Sequence, residues 1–305
     1  MNEITEALLA EISDYKGEFK GAYNIRENGS CVGRQSSEHI RIEPKTDKSG
    51  IDIYIDPHTK GETVYIPACV TKSHVSDLVY NDFFVGEGAD VVIVAGCGVH
   101  ADNEGEAKHN GIHRFFLGKS SKVVYREKHL GTGSSDSFRR IDPITDAILD
   151  EDSSLEMDTV QLGGVDSTLR KTSAKLAARA KLIVRERIMT DGKEEAKTDF
   201  VVEMNGEDSA VDLVSRSVAK GNSCQEFKSH ILGRNRCTGH SECDAILVDN
   251  GRVNALPALE AANIDAALIH EAAIGKIAGE QILKLQTLGL TEEEAQQKII
   301  SGFLK

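Results

Sequence analysis

Two kinds of hydrophobic spacing divide this chain. At the start, Ile4, Leu8, Leu9 and Ile12 recur at helical intervals with acidic residues between them, until Gly17 and Gly21 end the pattern. That spacing predicts a helix within residues 1–22. Residues 26–50 are polar and rich in Gly and Ser, and read as loop. Short apolar runs bounded by Gly, Asp, Asn and Ser come next. They are Ile51–Ile55, Thr63–Ile66, Asp90–Val94, Lys122–Tyr125, Leu155–Val160, Lys181–Glu186, Asp199–Met204, Val211–Val214, Glu226–Ile231 and Ala245–Val248. Each reads as a strand with turn punctuation. Ser167–Ala180 fits a helix through Leu169, Ala174, Leu176 and Ala180, but its interleaved Thr, Ser and Lys favour a strand.

Helical spacing returns over residues 274–288 through Ile274, Ile277, Leu283 and Leu288, and Gly289 suits a left-handed terminating residue. Thr291-Glu292-Glu293-Glu294 is a capping-box pattern opening a second helix, with Leu290 and Ala295 at the staple positions. Ala295, Ile299, Ile300 and Phe303 continue it as an apolar stripe. This helix pair either caps the β-region or offers its stripe to a partner.

A small or polar residue before an apolar stretch recurs at Ser121–Val124, Ala180–Ile183, Ser209–Leu213, Cys243–Leu247 and Ile264–Leu268. Outside the gap over 125–179, neighbouring instances lie on the order of 20–35 residues apart, a spacing typical of stacked repeats. Short strands with few aromatics and few prolines suit a parallel β-helix, whose ends need caps. The N-terminal helix is a candidate cap. A β-sandwich is the competing architecture.

Composition narrows the function. The 305 residues hold 36 Lys and Arg against 49 Asp and Glu, a net charge of −13, which argues against a nucleic-acid binder. Apolar residues are 40% and aromatics 5%, with no Trp, so the core is built from Val, Ile, Leu and Ala. The longest apolar run, around Val91–Val99, is far short of the roughly 18–20 residues of a membrane span. Met1-Asn2-Glu3-Ile4 carries an acid where a secretory signal carries a base, so the expected compartment is the cytoplasm. The six cysteines (Cys31, Cys69, Cys97, Cys224, Cys237 and Cys243) are then expected as thiols.

No phosphate-binding loop, strand-linked G-x-G-x-x-G, G-x-S-x-G or H-E-x-x-H motif is present, which disfavours a conventional hydrolase or metalloprotease. Thiols and imidazoles gather in two places. Cys97, His100, His109, His113 and His129 form the first group, although any one of them alone is more often a packed core residue. Cys224, His230, Cys237, His240 and Cys243 form the second, and Cys237-x₂-His240-x₂-Cys243 has the spacing of a partial zinc site. Thiolates also suit iron–sulfur species. His270 lies about one solenoid turn after Cys243, so the two are candidate neighbours. His270 and Glu271 point to opposite faces of a strand, and one of them faces Cys243 unless the backbone bulges.

Several stretches resemble the SufB/SufD family of iron–sulfur cluster assembly proteins. They are Glu242-Cys243-Asp244-Ala245-Ile246-Leu247-Val248, then His270 to Ile277, Leu288 to Ala295, and Ile300-Ser301-Gly302-Phe303-Leu304. His109 to Phe115 with Val124 to His129 resembles the short members of the family. The resemblance implies a mainly β fold: a right-handed parallel β-helix over 31–272, after an N-terminal helical segment over 1–30 and before a C-terminal helical domain over 273–305. It implies a scaffold, not an enzyme, that accepts sulfur and iron, builds a nascent cluster and passes it to apo iron–sulfur proteins. ATP would be hydrolysed by a SufC-like ABC ATPase docked on Ile277, Leu283, Leu288, Leu290, Ile299 and Phe303. Cys97 and Cys243 match sulfur-relay positions, and Cys243, His270 and Glu271 match nascent-cluster ligands. A cysteine-desulfurase-type protein would donate the sulfur. The chain lacks the long N-terminal region of larger SufB proteins, which implies a homodimer with two ATPase subunits. Ile269 stands where larger SufB proteins carry an acid. The alternatives are a β-solenoid adaptor that recruits the ATPase without holding a cluster, and a zinc-stabilised module.

Overall fold

A computed structural model describes residues 1–102, 104–134 and 136–305. The chain opens with α1 (Glu3–Ser13). It continues through β1 (Ala22–Glu27), β2 (Ser30–Gln35), β3 (Ile40–Pro44), β4 (Gly50–Ile55), β5 (Lys60–Val70), β6 (Ser76–Val85) and β7 (Asp90–Ala101). Next come β8 (Gly105–Leu117), β9 (Lys122–Gly133), β10 (Ser137–Ile141), β11 (Ile144–Leu149), β12 (Ser154–Leu162), β13 (Ser167–Leu176) and β14 (Lys181–Thr190). The last strands are β15 (Glu195–Met204), β16 (Ser209–Ala219), β17 (Cys224–Gly233), β18 (Cys237–Leu247), β19 (Arg252–Ala261) and β20 (Ala266–Lys276), before α2 (Gly279–Gln286) and α3 (Glu292–Phe303).

The strands fall into two long sheets. One runs β2-β1-β5-β7-β9-β12-β14-β16-β18-β20, and the other β19-β17-β15-β13-β10-β8-β6-β4-β3, with β11 also between β8 and β13. Strands next to each other in a sheet are parallel except for the pairs β1–β2 and β3–β4. The fold is therefore a β-solenoid of about 8 turns with short terminal helices. Stacked side chains show the period: Arg179 pairs with Asp152, 27 residues earlier, and Arg114 with Asp82, 32 residues earlier. Along each strand, alternate residues line the interior. Val123, Leu155, Leu182 and Val211 stack from turn to turn, each nearly inaccessible, and Phe83 stacks on Phe115 with ring centroids 4.5 Å apart.

Three local expectations change. The stretch 26–50 is not loop but carries β2 and β3 and ends where β4 starts. The antiparallel β2 and β3 finish the two sheets at the N-terminal end, where a short hairpin return needs far fewer residues than another parallel crossover. The helix expected over 274–288 begins only at Gly279, because residues 266–276 pair along β18 as β20. α1 does not sit over the solenoid end. Leu8 and Ile12 lie on the outer surface over Gly96 and Gly98, where an added Cβ would fall 2.7 Å from the Ile12 carbonyl oxygen and 3.1 Å from Leu8. The strand reading of Ser167–Ala180 holds over Ser167–Leu176.

The two ends differ. At the C-terminal end β19 and β20 terminate the sheets, and most of their residues are exposed, including inward-register Leu259 and Ile274. α3 has the capping box: the Thr291 hydroxyl accepts from the Glu294 amide and Glu294 accepts from the Thr291 amide. Its Ile300 packs with Val218 and Val248, joined by Phe303, Leu304 and Ile277, on the flank of the solenoid.

Candidate functional site

The pairing of β18 with β20 fixes the candidate residues. Ser241 faces His270, Glu242 faces Glu271 and Cys243 faces Ala272, with no shift of register. Cys243 therefore points into the solenoid, where it is buried. His270 has the same parity and lies on the inner face, diagonal to Cys243. Its Nδ1 is buried and lacks a hydrogen-bond partner. Glu271 projects outward instead. Its Oε2 lies 3.5 Å from His240 Nε2, and His240 Nδ1 donates to Asp212 Oδ1 at 2.8 Å. The three residues named by the sequence thus divide, two inside and one outside. Ile269, opposite His240, is exposed on the outer face.

Cys97 also lies on the inner face of this sheet, opposite His129. Between β7 and β18 stand β9, β12, β14 and β16, so the two thiols are about 24 Å apart at ~4.8 Å per strand. A polar column occupies that interval. Glu127, Thr159, Glu186, Ser215 and Cys243 follow one another in register. Arg170 reaches across from β13, donating to Glu127 Oε2 at 2.5 Å and lying 3.6 Å from Glu186 Oε1. The Tyr125 hydroxyl donates to Glu127 at 2.9 Å and is itself 2.7 Å from His113 Nδ1. His129 Nε2 lies 3.2 Å from Glu127. Ser215 donates to Glu186 Oε2 at 2.8 Å. Buried charge is tolerated where it is paired and hydrogen-bonded. Thr159 Oγ1, Gln161 Nε2 and Ser217 Oγ, along the same face, have no hydrogen-bond partner.

Burial sets the proton affinities here. It pushes the Cys243 thiol up to about 12, with Glu186 and Asp244 adding to the effect. Cys97 is also raised well above its ordinary value by burial and by Glu127. Both thiols are thus held protonated in the single chain, and a bound metal ion is one agent that reverses this. Burial raises Glu186 despite Arg170, whereas for Glu127 the attraction of Arg170 and His129 outweighs burial and lowers it.

The remaining sequence candidates scatter. Cys237 and Cys243 share the inner face of one strand at about 20 Å and His240 is on the other face, so they do not converge on one zinc ion. Of the expected docking residues, Leu283 and Leu288 are exposed, Leu290 and Ile299 are half-buried, and Ile277 and Phe303 pack against the solenoid flank. The sequence reading missed Glu127, Arg170, Glu186 and Ser215. Their signal was parity: Val123, Tyr125, Glu127 and His129 alternate on one face, so Glu127 had to enter the core with its apolar neighbours. It also missed His240 and Glu242 as partners of Glu271, because that needs the register.

A family model described as SUF system FeS cluster assembly, SufBD core domain, matches residues 77–303. An iron–sulfur cluster assembly SufBD family protein of Archaeoglobus fulgidus is 29% identical over 89% of this chain and 72% of its own length. Another such protein, from Methanothermobacter thermautotrophicus, is 28% identical over 80% of this chain but only 59% of its own length. A third, from Methanocaldococcus jannaschii, is 25% identical over 93% of this chain and 90% of its own.

Proposed function

The chain belongs to the SufBD family of iron–sulfur cluster assembly, and we propose that within it the chain is the scaffold on which a nascent cluster forms. The observation that carries the reading is the placement of Cys243. It lies on the inner face one strand from the open end of the solenoid, diagonal to the unpartnered Nδ1 of His270. A thiolate and an imidazole are iron ligands, and a mixed set holds a cluster less tightly than four thiolates, as a donor requires. The cluster is cargo here, built from iron and sulfur and passed to apo iron–sulfur proteins.

The polar column from Glu127 to Cys243, with Cys97 two residues out of its register, supports a passage for sulfur between the two thiols. A cysteine-desulfurase-type donor would load Cys97 by passing the outer sulfur of its persulfide to the Cys97 thiol and leaving as a thiol itself. The hydroxyl and carboxylate groups of the column take no sulfur covalently and would serve only as a polar lining between the two thiols. The exposed last turn supports a homodimer in which a second copy covers β19 and β20 and completes the ligand set. No phosphate-binding loop is present in the sequence, so ATP turnover is assigned to a SufC-like ABC ATPase on α2 and α3, with Leu283 and Leu288 as its exposed contacts. The chain itself is then a non-catalytic subunit. No helix among the described residues is long and apolar enough to cross a membrane.

The test is anaerobic reconstitution of the chain with its ATPase, using ferrous iron and sulfide, on wild type and Cys243→Ser. Iron–sulfur absorption that collapses in the variant is the expected result. Equal clusters in both would remove Cys243 from the site. A stable ATPase complex with no cluster in either would establish the adaptor role instead.

A further inference from the structure

On the outer face of the same two strands, the register sets two carboxylates against each other. Glu242 and Glu271 are direct partners across β18 and β20. Like charges placed opposite one another destabilise a sheet, and among the described residues no lysine or arginine forms an ion pair with either one. Asp244, two residues along on the same face, adds a third negative charge, offset in part by Arg216, its register partner on β16. The group that faces this pair is an imidazole. His240 Nε2, Glu242 and Glu271 each bring one ligand atom, all within 4.8 Å of one another. Ligands about 2.1 Å from a common ion stand roughly 3–4 Å apart, so a small side-chain adjustment closes the set.

The orientation of His240 fits metal binding. Its Nδ1 is engaged by Asp212 Oδ1 at 2.8 Å, which fixes the ring and leaves Nε2 turned to the two glutamates. A metal-binding histidine is typically held by a carboxylate on its other nitrogen in this way. Asp212 is anchored in turn by Arg185 at 2.6 Å. His240 and Glu242 also line an open groove of about 510 Å³, so further coordination positions face solvent.

The geometry points to a surface site for ferrous iron formed by His240, Glu242 and Glu271, distinct from the thiol site inside. One imidazole with two carboxylates favours a borderline divalent ion over magnesium or calcium, which take oxygen ligands, and over cuprous ion, which takes sulfur. The choice of iron rests on the scaffold reading. Glu242 precedes Cys243 in the strand and points the opposite way, and β20 is the end strand of its sheet. Iron held outside is therefore separated from the inner thiol by the free edge of one strand.

Anaerobic equilibrium dialysis of the full chain against ferrous ammonium sulfate tests this, with circular dichroism melts to confirm folding of each variant. Wild type and Cys243→Ser are expected to hold one iron per chain with equal affinity. His240→Ala and Glu271→Gln should each lose at least tenfold, and Asp212→Asn, which only positions the imidazole, about tenfold. Wild-type affinity in His240→Ala and Glu271→Gln, or loss of the iron in Cys243→Ser, overturns the site. The two readings fail separately. Cluster formation that depends on Cys243 while ferrous binding ignores His240 overturns this inference alone. Ferrous binding that follows His240 in a protein that forms no cluster upholds the site and removes the scaffold reading.

Discussion

Ser215 and Cys243 are register partners on the inner face of one sheet, and the Ser215 hydroxyl is committed to Glu186. A carboxylate thus sits one side chain away from a buried thiol, and both burial and this negative charge oppose thiolate formation. In the free chain Cys243 and Cys97 should be alkylated by iodoacetamide at pH 7.5 at least a hundredfold more slowly than the exposed Cys31. Mass spectrometry of timed samples reads this directly. Labelling of Cys243 at the rate of Cys31 would show that the last turn opens in solution.

Among the described residues, Arg170 is the one arginine or lysine paired with both Glu127 and Glu186. Arg170→Met leaves both carboxylates buried without it, and should cost about 3–5 kcal/mol of stability. The urea midpoint checks the loss. Adding Glu127→Gln should recover part of it, because one uncompensated charge is then removed.

Histidine protonation should weaken the fold as the pH falls below 6.5. Burial lowers His113 from 6.5 to about 4, and lowers His129 as well. Between pH 6.5 and 5 the unfolded chain binds protons that the folded chain refuses, so the contribution is complete above pH 6.5 and is lost as pH falls. One such group amounts to about 1.4 kcal/mol per pH unit at most. Glu186, raised by burial, acts in the opposite sense, over a window that opens at the ordinary carboxyl value and extends upward. Urea midpoints across this window should fall, and His113→Gln should flatten the slope.

The exposed last turn makes a claim about mass. If a second copy covers it, Ile274→Asp and Leu259→Arg, each at an exposed inward-register position, should halve the sedimenting mass and leave the circular dichroism spectrum intact. Unchanged mass in both would move the contact to another surface.

Much of the fold was legible because its units are local. Val, Ile and Leu runs such as Asp90–Val94 gave the strands, and Thr291 with Glu294 gave the α3 start. The segment 26–50 misled because antiparallel finishing strands, such as β2 with its pattern Ser-Cys-Val-Gly-Arg-Gln, bury one sheet edge and little side-chain area. The start of the C-terminal helix misled because Ile274 suits either period, and pairing along β18 decided for strand. At the site, the family resemblance named Cys243, His270 and Glu271. Their division between two faces follows from the one-residue alternation of an unbulged strand, which the sequence stated as a condition and the register then fixed.

The N-terminal end finishes in antiparallel strands, while at the C-terminal end parallel strands finish the sheets with most of their residues exposed. A rod with one reactive terminus cannot propagate: once two copies meet end to end, neither has a second sticky end to offer. Of the ways such chains associate through this surface, a closed pair about a two-fold axis satisfies both and leaves fibre growth without a route. Under the proposed homodimer, the asymmetry of the solenoid would limit the assembly to two copies and bring both copies of Cys243 towards the same seam.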